Sequence, residues 1–348
     1  MSRPTSHRGA APDLPRLIYW RLRRTPARAP HVLAALGRAV VTAARHVRTR
    51  GPAVASVAIV QLERMGDIVA AEPISRHARE RFPGARLCWV TLPAHAGLVA
   101  SFPAVDRVVT VRCLTEWLAL RRLLRFEAVW NLHINGYGCP LCGSTRADPG
   151  VPDAATYFDF GNHLEVMCRC AGVAPLTGSP RLRLPVAAGA AIDRLGLPAR
   201  FVAVHANSID PAREWPAEKW RRLIALLLAA DPALSVVEVG LRRFAVPRDD
   251  GRQRSLCGRL TLPQTAALIG RASLFIGIDS GPAHLANAVG APGVLMLGRY
   301  RGFARYMPFS GHYADGTRAT VVRTHGPAGD IDVAEVFSAA TARLAAFP

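Results

Sequence analysis

Lysine is almost missing from this chain. Lys219 is the only one among 44 basic residues, so the other 43 are arginine. A preference that uniform reflects coding-sequence composition more than a demand for bidentate chemistry, and it is given no functional weight. Acidic residues are also scarce, 25 in all, which leaves a net charge of +19. Long apolar runs are absent: the closest approach, Leu223 to Ala230, falls well short of the roughly 18 residues that cross a bilayer, so no integral membrane protein is expected. The first fifty residues lack the apolar stretch and small-residue cleavage site of a secretory signal. Seven cysteines are an odd count for a disulfide framework, and without such a signal they predict a reducing compartment, the cytoplasm. Half the residues are apolar and only 20% charged, which excludes a disordered tail, a collagen-like repeat and a disulfide miniprotein. At roughly 100 to 200 residues per domain, 348 residues suggest two domains.

The positive charge is unevenly spread. Residues 1–50 hold eleven arginines against one acid, Asp13, so +10 of the +19 lies in one seventh of the chain. Apolar and basic residues recur there with near-helical spacing, from Leu14 to Arg24 and from His31 to Val47. Such a basic amphipathic segment has two uses. It can lie on an anionic leaflet, each basic side chain contributing about 1 kcal/mol, or it can pack its apolar stripe on the body as a solvated extension. RNA is the poorer partner, because the segment offers only Tyr19 and Trp20 for stacking.

After Gly51 the pattern becomes short β-rich runs separated by helical stretches, which indicates an α/β fold with mostly parallel sheets. Strands are expected at Ala55 to Leu62, Arg86 to Thr91, Arg107 to Val111 and Ala128 to His133, with helices over Ile68 to Phe82 and Glu116 to Leu124. A segment rich in Gly, Pro and Ala, Gly172 to Pro198, reads as a linker. A second series follows: strands at Phe201 to His205, Ser235 to Val239, Leu274 to Ile278 and Gly293 to Leu297, and helices at Pro216 to Ala230, Leu262 to Arg271 and Gly281 to Val289. The expected division is a basic extension at 1–50, a first Rossmann-like lobe at 51–190 and a second at 191–348.

Loops at the carboxyl ends of parallel strands face the ligand crevice in such folds. Glu63-Arg64-Met65-Gly66-Asp67 follows the first strand; Gly66 permits close backbone approach, and Asp67 is either a helix cap or a carboxylate that takes a proton from a hydroxyl. Gly277-Ile278-Asp279-Ser280-Gly281-Pro282-Ala283-His284 runs from an apolar strand into a helix. Its N-terminal amides suit phosphate oxygens, although both glycine-rich phosphate fingerprints are absent. The competing reading is a helix capped by Asp279 or Ser280 with His284 packed. Third, Asn207 and Ser208 follow a strand and can donate to phosphate, while Arg213 can neutralise charge on a leaving diphosphate; Trp215 is expected to pack. Finally, Cys139 and Cys142, then Cys168 and Cys170, have the make-up of a four-thiolate site for structural zinc or iron, with reduced thiols as the alternative. Cys88, Cys113 and Cys257 read as core residues.

Taken together, "RMGDIVAAEP", "HANSIDPAREWPAEKWRRLI" and "LTLPQTAALIGRASLFIGIDSGPAHLANAVGAPGVLMLG" resemble the bacterial heptosyltransferases of glycosyltransferase family 9, over roughly Val57 to Gly298. The resemblance implies a GT-B fold, two Rossmann-like lobes facing a cleft. It implies inverting transfer of a heptose from ADP-heptose to the lipopolysaccharide inner core, without an essential metal, at the cytoplasmic face of the inner membrane. It also implies Asp67 as the general base, with Arg64 and Gly66 in the acceptor-side loop. Asp279, Ser280, Gly281 and His284, with Asn207 and Ser208, would hold the donor. Arg213 stands where relatives often carry lysine and would supply charge to the departing diphosphate. Leu241-Arg242-Arg243 replaces an acidic residue common in relatives, and Arg299-Tyr300 replaces a Pro-Thr pair. The competing functions are a nucleotide-sugar epimerase on the same fold and a catalytically silent, membrane-associated scaffold.

Overall fold

The computed structural model describes residues 29–48, 55–139, 141–208, 210–246, 251–300, 303 and 306–347. The apolar runs become parallel strands, and the helices between them cover both sheet faces. β1 (Ser56–Val60), β2 (Arg86–Thr91), β3 (Arg107–Thr110) and β4 (Ala128–Asn131) form one sheet in the order β3-β2-β1-β4. β5 (Phe201–His205), β6 (Ser235–Glu238), β7 (Gln253–Ser255), β8 (Leu274–Ile278), β9 (Gly293–Leu297) and β10 (Ala319–Arg323) form the other, in the order β10-β9-β8-β5-β6-β7. Each sheet starts in its interior and grows both ways: β1 pairs with β2 and β4, and β5 with β6 and β8. The order therefore reverses beside β1 and beside β5, and a parallel sheet opens a crevice at such a reversal. The loops after β1, β5 and β8 are placed by this topology.

The helices are α1 (Ala29–Arg48), α2 (Met65–Ala70), α3 (Glu72–Arg81), α4 (Leu114–Leu123), α5 (His163–Ala171) and α6 (Val186–Asp193), then α7 (Ala217–Ala230), α8 (Leu262–Ile269), α9 (Gly281–Ala288) and α10 (Val333–Ala346). The helix expected over Ile68 to Phe82 starts earlier and is broken at Ala71. Pro73 has no amide hydrogen to continue the ladder, so the chain restarts as a second helix at Glu72. The Gly172 to Pro198 linker holds α6. β7, β10 and α10 were not anticipated; Gln253-Arg254-Ser255 has no apolar alternation because it is an edge strand.

Strand residues alternate between faces. Ala58 and Val60 point to one side of the first sheet, with Val90, Trp117 and the inward stripe Ala35, Ala39 and Ala43 of α1. Val57 and Ile59 point to the other, with Ile74, Trp89 and Leu164. The helical spacing between His31 and Val47 is thus realised as α1 packing on the body, fastened by Arg38 Nε to Glu116 Oε2 at 2.8 Å. Leu33, Val40 and Val41 remain on its outer side. The segment Leu14 to Arg24 lies outside the described residues. Among those described, no helix is long and apolar enough to cross a membrane.

In the second lobe, the fully buried carboxylate of Glu238 accepts the amides of Phe244 and Ala245, both at 2.7 Å, and so folds the chain leaving β6. In Glu238→Gln the carbonyl oxygen can still accept from Phe244 and Ala245, but the amide donor then faces the Val246 N–H that Oε2 accepts at 3.4 Å. Stability read from urea unfolding is expected to fall by about 1.5 to 3 kcal/mol, with an unchanged denaturant slope.

Candidate active site

β1 delivers the chain to Arg64, whose backbone has φ 23°, the one non-glycine residue with positive φ among those described. This conformation costs of order 1–3 kcal/mol and turns the chain abruptly into α2. Asp67 lies in the first turn of α2 but does not cap it: the N-cap position is Arg64, and no side chain caps the helix. The carboxylate is therefore left for other work. Its side chain keeps 22% of its surface exposed, and Oδ1 is 3.7 Å from His163 Nδ1, which meets Tyr157 Oη at 2.7 Å. Burial in the cleft raises the Asp67 pKa to about 7. The nearby Arg64 and Arg213 oppose that rise, while Glu63 and Asp279 add to it.

The facing elements come from the second lobe. Asp279 ends the fully buried β8 and accepts from Arg213 Nη1 at 2.6 Å and from the Tyr306 hydroxyl. Burial raises its pKa to about 6 against the lowering effect of Arg213 and Arg64. The Arg213 guanidinium lies 3.8 Å over the Tyr300 ring, and the 3-10 turn Pro211–Arg213, whose Asp210 side chain accepts the amide of Ala212, fixes where it starts. His284 Nε2 is 3.9 Å from Asp279 Oδ1, and burial with Arg213 lowers its pKa to about 3, so it is a neutral imidazole. The rings of His163 and His284 meet edge to face across the lobes, 5.4 Å apart.

Ser280 occupies the N-cap position of α9, yet its hydroxyl donates to Ile278 O, so neither it nor Asp279 caps the helix. Gly66 and Gly281 set the approach of the lobes. A Cβ on Gly66 would lie 2.9 Å from His284 Cδ2, and one on Gly281 would overlap Met65 Cε. Met65 thus fills the space in front of the α9 N-terminus. Asn207 Oδ1 and Arg213 Nε are buried without a partner, and buried polar atoms left unsatisfied in a cleft suit a polar ligand. Ser208, by contrast, is engaged, its amide on Glu214 Oε1 at 2.9 Å and its hydroxyl accepting the amide of Asp210. Beside Arg213 and Asp279 is a narrow indentation lined by Met296, Gly298 and Tyr306, too tight to admit a water. Trp215 packs, its indole N–H on Ile331 O.

Ligand atoms of His163, Asp279 and His284 lie within 4.8 Å of one another, a spacing a metal ion can use. The Arg213 cation already on Asp279 opposes a second positive charge there. The four-cysteine site does not assemble: Cys139 and Cys142 lie on the Ala58 side of the first sheet, Cys168 on the Val57 side. Cys113, expected to be an ordinary core residue, is the one that joins Cys139 and Cys142. Tyr157, His163, Tyr300 and Tyr306 were not singled out for the cleft. Their only sequence signal is the aromatic content of Tyr157 to Phe160 and Tyr300 to Phe309, which topology alone makes meaningful.

The profile of glycosyltransferase family 9 (heptosyltransferase) matches residues 187–301. Lipopolysaccharide heptosyltransferase 1 of Escherichia coli (strain K12) is 24% identical over 295 residues, 70% of this chain and 87% of that protein. The structure of the E. coli ADP-heptose lipopolysaccharide heptosyltransferase II superposes with a TM-score of 0.64 at 18% identity, covering 84% of this chain and 99% of that one. The E. coli heptosyltransferase WaaC with ADP gives 0.56 at 16% identity, covering 83% and 99%. These structures share the two-sheet α/β fold seen here.

A raised carboxylate pKa has a consequence for stability. Between about pH 4 and 7 the folded chain holds a proton on Asp67 that the unfolded chain has released. Stability from this group therefore falls as pH rises through that window and stays low above it. Asp67→Asn removes the cost, so the variant should melt above wild type at pH 8, with the difference closing toward pH 4. A variant that melts lower at pH 8 would contradict the burial argument.

Proposed function

We propose that this chain is a heptosyltransferase-like glycosyltransferase of family 9, a reading its similarities support, and that it performs inverting transfer of a heptose from ADP-heptose to a lipopolysaccharide-core or related glycan. One observation carries the reading: the Asp67 carboxylate of the first lobe faces the Arg213–Asp279 pair of the second across a shared cleft. Displacement at an anomeric carbon needs those two functions on opposite sides of the sugar. Asp67 takes the proton of the acceptor hydroxyl, whose oxygen attacks the anomeric carbon as the bond to the diphosphate breaks. Arg213, oriented by Asp279 and by the face of Tyr300, supports the negative charge that collects on the leaving group. With that charge supplied by a guanidinium, the reading requires no metal for catalysis. Asn207 Oδ1 and Arg213 Nε, both without partners, are available to the donor. The adenosine diphosphate and the fluoro-heptose donor analogue named with structures of WaaC support the choice of nucleotide and sugar.

A glycolipid acceptor resides at a membrane surface. The eleven arginines of residues 1–50 and the outward Leu33, Val40 and Val41 of α1 support contact with an anionic leaflet, on the inner face of the bacterial inner membrane.

Asp67→Asn should lower kcat by about 10² to 10⁴, the usual worth of a positioned general base, while ADP affinity by calorimetry stays within about twofold of wild type. For the wild type, kcat/KM should rise with pH to a plateau above about 7, where Asp67 is ionised. Turnover of the Asp67 variant close to wild type would remove the base. Product formed without any acceptor would instead indicate an epimerase.

A further inference from the structure

Three cysteines far apart in sequence meet beside the first sheet, on the side covered by α1 and α4. Cys139 and Cys142 are three positions apart in the sequence, and the chain around Cys142 folds back on Cys139. Gly143 N donates to Cys139 O at 2.7 Å, Cys139 N donates to Ser144 O at 2.8 Å, and Gly138 bridges Thr145 in antiparallel fashion. Gly143 has φ 66°, the left-handed conformation such a turn requires. The third cysteine, Cys113, follows β3 at the N-cap of α4, and its thiol lies within hydrogen-bonding reach of both Cys139 and Cys142. All three are 3% exposed or less and carry no disulfide.

The polar groups around them include one fixed donor to sulfur, the Glu116 amide, and hydroxyls able to donate to it. Glu116 N donates to Cys113 Sγ at 3.5 Å, and the buried Ser144 hydroxyl is 3.0 Å from Cys142 Sγ and 3.2 Å from Thr115 Oγ1. Neutral thiols are weak acceptors and gain little from this, whereas anionic sulfur gains much. Otherwise the surroundings are apolar, with Val111, Trp117 and Leu120, and a lone buried thiolate there needs a cation.

We propose that Cys113, Cys139 and Cys142 are the thiolate ligands of a structural site for one zinc or iron ion. A CxxC turn with a third cysteine from a separate element is the donor pattern of such sites, and Ser144 Oγ or a water completes four-coordination. Binding releases the three thiol protons to solvent, so occupancy falls as pH is lowered. The ion would fasten the 135–153 segment to the start of α4. That segment reaches the active-site loop: Tyr137 stacks on His133, and His133 Nε2 accepts the amide of Leu62, one residue before Glu63. The site is independent of the proposed transfer reaction, since none of its ligands faces the cleft residues.

The test is metal content of full-length chain purified under reducing conditions without chelator, then of the same protein refilled with Zn²⁺ or Co²⁺. One equivalent per chain is expected, with a thiolate-to-cobalt charge-transfer band. Cys113→Ser, Cys139→Ser and Cys142→Ser should each lose at least about tenfold in retained metal, whereas Cys168→Ser and Cys170→Ser keep it. If the first three variants do not fold, the wild type still decides, because Zn²⁺ should raise its melting temperature and a chelator should lower it. Wild type that takes up no zinc or cobalt overturns the proposal. So does a native Cys139–Cys142 disulfide, or loss of metal in Cys168→Ser equal to that in Cys139→Ser.

Discussion

The candidate site depends on holding two carboxylates, Asp67 and Asp279, near each other between the lobes. Each is disfavoured as an anion by burial, and Asp279 adds to the rise at Asp67. Two arginines make the arrangement tolerable in different ways. Arg213 binds Asp279 directly and is itself flattened on Tyr300. Arg64 acts from the rim, on a backbone conformation that few residues other than glycine adopt. The asymmetry matters. Asp279 is committed to its arginine and to the Tyr306 hydroxyl. Asp67 has only an imidazole 3.7 Å away. A carboxylate left without a direct cation and poised near neutrality is matched to accept a proton at physiological pH.

Topology explains why these groups meet. Both sheets reverse their strand order beside the strand that begins each lobe, so the loops carrying Asp67, Asn207 and Asp279 all leave carboxyl ends of central strands. Two helix starts, α2 and α9, then abut nose to nose. Side chains at both contact positions would hold them apart, and Gly66 and Gly281 remove that obstacle. His163 and Tyr157 arrive from a third direction, because the segment before α5 crosses to the second lobe, where Phe158 packs edge-on against Phe303 and Tyr306.

Much of this was legible in sequence, for physical reasons. Buried parallel strands are continuous apolar runs, so β1, β2, β5, β8 and β9 announce themselves, and the residues that follow them are site candidates by position alone. Asp67 and Asp279 were singled out as candidates that way, and Arg213 as a positive charge at the start of a helix. Capping was not decidable: Asp67 and Ser280 both look like caps, and in the structure neither side chain caps its helix. His163 and Tyr306 were hidden because nothing local marks a residue whose partners, Asp67 and Asp279, lie on other elements of the fold. The four-cysteine reading failed for a geometric reason that was available in advance. Cys168 and Cys170 are two apart on α5, and helix positions i and i+2 point in nearly opposite directions, so both cannot face one ion. A turn such as Cys139 to Cys142 has no such bar.

The position of Met65 bears on how the cleft is used. Its methyl lies against Gly281, where a diphosphate would approach the α9 amides, so the lobes as arranged leave no room there for a ligand. The indentation beside Arg213, Gly298 and Tyr306 is also too tight to admit a water. On the proposed function, a donor diphosphate would reach Gly281 only when Met65 turns away or the lobes part. Met65 is unbranched and rotates easily, which makes it a cheap gate. Because Met65 and Asp67 share the first turn of α2, displacing one also shifts the helix that carries the other. On the proposed function, donor binding in the second lobe would in this way be coupled mechanically to the placement of Asp67 in the first.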